Sequence, residues 1–100
     1  MADYGTYNFP DLKSGDSLNA KTFTFNTHPP GTLVKVELKT NRGDILRSGS
    51  GITITDAVNW VFVIDQQVIN WNPGNLTYGI TIKSSTGIVK TFIRGSWNIL

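Results

Sequence analysis

The sequence predicts an all-β chain, an antiparallel β-sandwich of immunoglobulin-like kind, with a small five- or six-stranded barrel as the alternative. Three observations point there. Apolar and polar residues alternate with period two in several runs, turn-forming clusters interrupt them at a spacing of about ten residues, and no window repeats apolar residues at i, i+3, i+4 and i+7 over the length a helix needs. With 100 residues and 39% hydrophobic side chains, the chain suffices for a single domain, residues 1–100, that buries about 65% of its unfolded surface.

Taken in order, Tyr4, Tyr7 and Phe9 are spaced among polar residues and predict a short edge strand. Pro10 and the turn formers Lys13, Ser14, Gly15 and Asp16 follow it. From Lys21 the alternation is strict, Phe23 and Phe25 on one face and Thr22 and Thr24 on the other, until Pro29 and Pro30 remove two backbone donors and end the strand. Val34, Val36 and Leu38 alternate with Lys35, Glu37 and Lys39, so one face is core and the other solvent. Asn41, Arg42, Gly43 and Asp44 supply a hairpin turn, and Ile45 and Leu46 begin the return. A Ser-Gly-Ser-Gly break at 48–51 precedes Ile52 and Ile54, which alternate with Thr53 and Thr55 as far as Asp56. Val68 to Trp71 reads as a further strand, and Pro73 and Gly74 as a turn. Leu76, Tyr78, Ile80 and Ile82 share a face, and Ile88 to Arg94 pairs back across the turn at 84–87. Gly95 is expected to bend the last strand before Trp97.

Residues 60–64 break the pattern. Trp60, Val61, Phe62, Val63 and Ile64 are apolar on both faces, yet a single sandwich core takes one face of a strand. Either Val61 and Val63 or Trp60 and Phe62 must therefore face something else, another chain or a covering loop. Together with Trp71, set beside a Pro-Gly turn, these four form the candidate interaction surface.

Chemistry-bearing groups are few. There is one His, and Asp and Glu together number seven. His28 reads as a turn residue, and the aspartates fall at turns and strand ends, where a carboxylate satisfies local backbone donors. No zinc, calcium, Walker or dinucleotide motif occurs, so no enzyme, metal or cofactor is expected. Arg42-Gly43-Asp44 spells an adhesion tripeptide and Asn75-Leu76-Thr77 a glycosylation sequon, and turn chemistry accounts for both. Cysteine is absent and the net charge is +2. The nine Lys and Arg are spread without a run, so nucleic acid is not an expected partner. The N-terminal residues lack the charged start and apolar run of a leader, and no stretch matches the apolar length of a membrane span, so synthesis in the cytoplasm is expected. Charged residues make up only 16%, leaving Thr, Ser and Asn to finish a surface suited to contact with a partner.

Several elements resemble the N-terminal domain of the phage baseplate upper protein family. They are Leu12 followed by Gly15-Asp16; Ile52-Thr53-Ile54-Thr55-Asp56-Ala57; Gly74-Asn75-Leu76-Thr77-Tyr78-Gly79-Ile80; and Gly87, Thr91, Gly95 and Trp97 with Ile99. The resemblance spans most of the chain and implies a non-enzymatic assembly or attachment module of a phage or prophage virion tail. Its partners would be other tail or baseplate subunits, or copies of itself. Gly79 departs from the pattern, standing where an acidic residue commonly follows the tyrosine. With the sequence ending at Leu100, an accessory subunit is expected rather than a complete receptor-binding protein. A carbohydrate-binding sandwich that stacks sugars on Trp71 is the other reading.

Overall fold

The computed structural model describes residues 5–25, 28 and 30–100; Tyr4 and Pro29 lie outside them. Among the described residues there is no helix, and the strands are β1 (Gly5–Thr6), β2 (Ser17–Leu18), β3 (Lys21–Thr24), β4 (Leu33–Thr40), β5 (Ile45–Ser48), β6 (Gly51–Asp56), β7 (Val61–Ile64), β8 (Gln67–Val68), β9 (Gly74–Ser84) and β10 (Val89–Ile99). Eight of them form a continuous sheet in the order β1-β10-β9-β4-β5-β6-β7-β3, and β2 pairs with β8 separately. The sheet folds over on itself between β5 and β6. The larger layer is β1-β10-β9-β4-β5, the smaller is β6-β7-β3, and the chain crosses between them from β3 to β4 and from β7 to β9. This is the strand distribution of an immunoglobulin-like sandwich.

The corner lies where the sequence places its glycine break. Gly49 and Gly51 both take positive φ, 87° and 95°, a region that L side chains avoid. The turn brings β6 alongside β5 in parallel, Arg47 opposite Gly51 and Ser48 opposite Ile52. A Cβ on Gly51 would stand 2.9 Å from the Gln67 Oε1 and 3.0 Å from a Leu46 methyl, so the corner is also closely packed. Gln67 fastens it by donating to the carbonyls of Gly51 at 3.0 Å and Asp65 at 2.9 Å.

Burial follows the alternation except at Val34, expected inward and in fact 52% exposed, because the register slips between Leu33 and Lys35 and Leu33 takes the inward place. Val36, Leu38, Ile80, Ile82, Leu76 and Trp97 from the larger layer meet Phe23, Ile52, Phe62 and Ile64 from the smaller, all within 9% of full burial. Aromatic rings span the layers: Phe25 and Phe92 lie 5.1 Å apart, Tyr7 and Phe23 5.5 Å apart.

Four further expectations need correction. The N-terminal segment does more than form a short edge strand: after β1 it continues along β10 in parallel, with Tyr7, Phe9 and Leu12 donating to the carbonyls of Arg94, Ser96 and Asn98 at 3.0, 3.1 and 3.1 Å. The strand expected over Val68 to Trp71 shrinks to Gln67–Val68, because Ile69 instead exchanges backbone bonds with Gly15 and Asp16 at 2.7 and 3.1 Å. Gly74 begins β9 rather than ending a turn. Gly95 does not bend β10; the register slips at Thr91/Ile93, where Phe92 bulges inward. Gly95 is required because a Cβ there would collide with the Tyr7 carbonyl.

Candidate interaction surfaces

In β7 the structure decides which side chains face outward. Phe62 and Ile64 are fully buried, and Val61 and Val63 point away from the core, half-covered by their neighbours. Trp60, expected as part of an interaction surface, is core as well, with no exposed area. The hairpin between β6 and β7 accounts for it. Asp56 accepts from the Asn59 backbone at 3.1 Å and its side-chain amide at 2.8 Å, which closes the turn and holds the Asp56 carboxyl below its ordinary range. Trp60 then takes φ 58°, a left-handed conformation unusual for so bulky a side chain. Its indole N–H donates to the Gly31 carbonyl at 2.9 Å, and His28 stacks over the ring at 4.6 Å and 11°. His28 thus serves as a cover for Trp60. Trp60 and Phe62 are therefore removed from the surface.

What remains outside the smaller layer is a face without lysine or arginine, its carboxylates, Asp56 and Asp65, at the margin. Val63 sits between Thr22 on β3 and Thr53 on β6, and Val61 between Thr24 and the Asp56 end of β6. Thr22, Thr24, Thr53 and Thr55 are all exposed. The Thr53 hydroxyl donates to both oxygens of Asp65 at 2.8 and 2.9 Å, which ties down the carboxylate at the margin of the face. Trp71 lies elsewhere. Half-buried, it meets Trp97 edge-on, centroids 5.2 Å apart at 69°, and its carbonyl accepts from the Ser14 hydroxyl at 2.6 Å. It offers solvent only part of a ring, and the structure does not bring it together with Val61 and Val63.

The other sequence motifs are held by local bonds. Arg42 does not project from the hairpin tip; its guanidinium donates to the carbonyls of Asn72 and, at 3.2 Å, Pro73. Asp44 accepts from Thr40 Oγ1 at 3.2 Å inside its own turn. Asn75 lies in β9 opposite Asn98 rather than in a turn. The Tyr78 hydroxyl donates to the Tyr7 carbonyl, and burial, with Tyr7 alongside, pushes its pKa upward. Among the described residues no three His, Cys, Asp or Glu side chains cluster as a metal site would require.

The outer face of the larger layer holds what the linear order concealed. Strand pairing aligns Lys35 directly with Lys83, Glu37 with Thr81, and Lys39 with Gly79. β5 adds Arg47 opposite Glu37, and β10 adds Arg94 opposite Gly79 and Thr91 opposite Thr81. Five of the chain's nine basic residues thus share one face, where Glu37 is the one carboxylate among its strand residues. An open groove of about 580 Å³ runs over Gly79, lined by Lys39, Thr81, Thr91 and Arg94 among others. A smaller depression continues it past Thr81 to Lys35, Lys83 and Val89. The signal was available in the sequence, since Lys35, Lys39 and Lys83 all occupy polar positions of alternating strands, but the strand order that joins them was not.

Comparison with known proteins adds little. No protein-family model matches the chain, and no curated protein matches it significantly. Among solved structures, CopC from Methylosinus trichosporium OB3b is similar over 89% of this chain and 84% of its own, at 9% identity and a TM-score of 0.47. A likeness of that strength carries no function across.

Proposed function

We propose that this chain is a non-enzymatic structural subunit, a tail or baseplate module of a phage or prophage virion that works through protein–protein contacts. The observation that carries the assembly role is the outer face of β3-β7-β6, two half-covered valines framed by exposed threonines with no lysine or arginine. A face with an apolar centre and polar rim is what protein interfaces present. It is also self-complementary: two copies meeting about a two-fold axis place valine against valine, with the Asp65 carboxylates, each tied to Thr53, at the rim. The basic face on the other layer would repel its own copy, so self-association is assigned to the neutral one. The placement in a virion tail rests on the sequence resemblance.

The test replaces both outward valines, Val61→Lys and Val63→Lys. The variant should keep the far-ultraviolet and near-ultraviolet circular dichroism of the parent, since neither side chain is in the core, and elute as a monomer where the parent elutes as an oligomer. If the folded variant assembles as the parent does, this face is not the interface.

A further inference from the structure

We infer that the groove over Gly79, on the outer face of the larger layer, is a docking site for an acidic, extended polypeptide segment of a partner protein. This deepens the assembly reading and rests on it, while using the opposite face of the molecule.

The argument begins with an unfavourable arrangement. Lys35 and Lys83 are directly opposed across β4 and β9, both exposed, and like charges so placed destabilise a sheet. Four residues along the strands, Lys39 and Arg94 flank Gly79 from either side, about 10 Å apart at two strand spacings. Between these basic rows Glu37 faces Arg47, and beside them Thr81 and Thr91 satisfy each other, Oγ1 to Oγ1, at 3.1 Å. A bound anion relieves the repulsion between Lys35 and Lys83, and Lys39 offers a second contact across the groove. Gly79 leaves the space, because any side chain there would occupy the groove between the two cations.

The spacing selects the class of anion. The basic rows stand about 14 Å apart, the length of four residues in an extended chain. A strand-like segment lying along β9 with carboxylates at i and i+4 would meet both rows. The residue midway, at i+2, would lie over Thr81 beside Glu37, where a carboxylate is disfavoured and a basic or hydroxyl side chain is accepted. Nucleic acid fits less well. Among the described residues no aromatic ring projects from this face to stack a base, and Glu37 at its centre opposes a continuous phosphate track.

Fluorescence anisotropy tests this with a labelled peptide of serines and threonines carrying glutamate at every fourth position, and with a glutamine-for-glutamate version and a labelled DNA duplex beside it. The glutamate peptide should bind the full chain, weaken with added salt, and exceed both controls. Lys83→Glu should cut its affinity about tenfold while raising the melting temperature, because Lys35 then faces a carboxylate. Gly79→Val should also reduce binding about tenfold by filling the groove without altering charge; its Cβ stands 3.5 Å from a Thr91 methyl and 4.0 Å from the Ile93 carbonyl oxygen, both ordinary contacts, so the fold survives. Unchanged affinity in both variants, equal binding of the glutamine peptide, tighter binding of DNA at the same salt, or no binding at low salt would each overturn the inference. Light scattering of the same samples keeps the two readings apart. An oligomer that ignores the peptide refutes the groove alone, and a monomer that binds it refutes only self-association through the neutral face.

Discussion

At Gly95 a single hydrogen atom decides whether the N-terminal segment can lie against β10, because the Tyr7 carbonyl occupies the position a Cβ would need and the Tyr78 ring stands 3.0 Å from it. Gly95→Ala should therefore destabilise the fold by about 2 kcal/mol, lowering the melting midpoint by roughly 10 °C. A thermal melt checks this, and a near-neutral result would mean the segment is not seated there. The same carbonyl accepts from Tyr78, whose folded pKa is raised above the ordinary 10.0. A raised value means that stability from the neutral phenol is fully present below pH 10 and declines as pH rises beyond it, when the unfolded chain ionises and the folded chain resists. Denaturant titrations should show Tyr78→Phe about 1 kcal/mol less stable at neutral pH, from the lost hydrogen bond, with a shallower fall above pH 10. Gly95 was visible in the sequence as a special position, but its reason was not. A bend is a local property, whereas the crowding comes from a residue 88 positions earlier.

At the scale of elements, alternation placed the long strands well. Val36 and Leu38, Ile80 and Ile82, and Phe23 all lie inward as their spacing required, since period two is a property of the strand itself. Residues 60–64 showed that one of two pairs must face out, and the choice needed the turn before them. Once Asp56 closes the hairpin and Trp60 enters the left-handed region, the indole reaches Gly31 and the valines turn away. Short strands were the least legible. β8 is two residues long because Ile69 finds partners near Gly15 instead, a contact across more than fifty positions. The corner between β5 and β6 was legible as a break and illegible as a fold of the sheet. Gly51→Ala should cost about 1–3 kcal/mol, through backbone strain at positive φ and displacement of the Gln67 side chain. Equilibrium unfolding in urea measures it, and an unchanged midpoint would show that the corner tolerates a side chain.

For the whole molecule, the two layers turn unlike faces to the outside. One is apolar at Val61 and Val63 and framed by threonines, the other basic around a glycine-floored groove. The sequence could not show the second, because lysines at 35, 39 and 83 become neighbours only when β4 and β9 pair, and Arg94 joins them only through β10. The first was half visible as an apolar run with one face too many. A module built this way can associate with itself on one side and with an acidic partner on the other, and the contact between copies is the claim on which the assembly reading stands. Light scattering of the unmodified chain over a wide range of concentration, at low and high salt, tests it most directly. The account predicts a defined oligomer whose mass is not lowered by salt, as an interface with an apolar centre requires. A strict monomer at every concentration, or an assembly that dissolves as salt is raised, would contradict it.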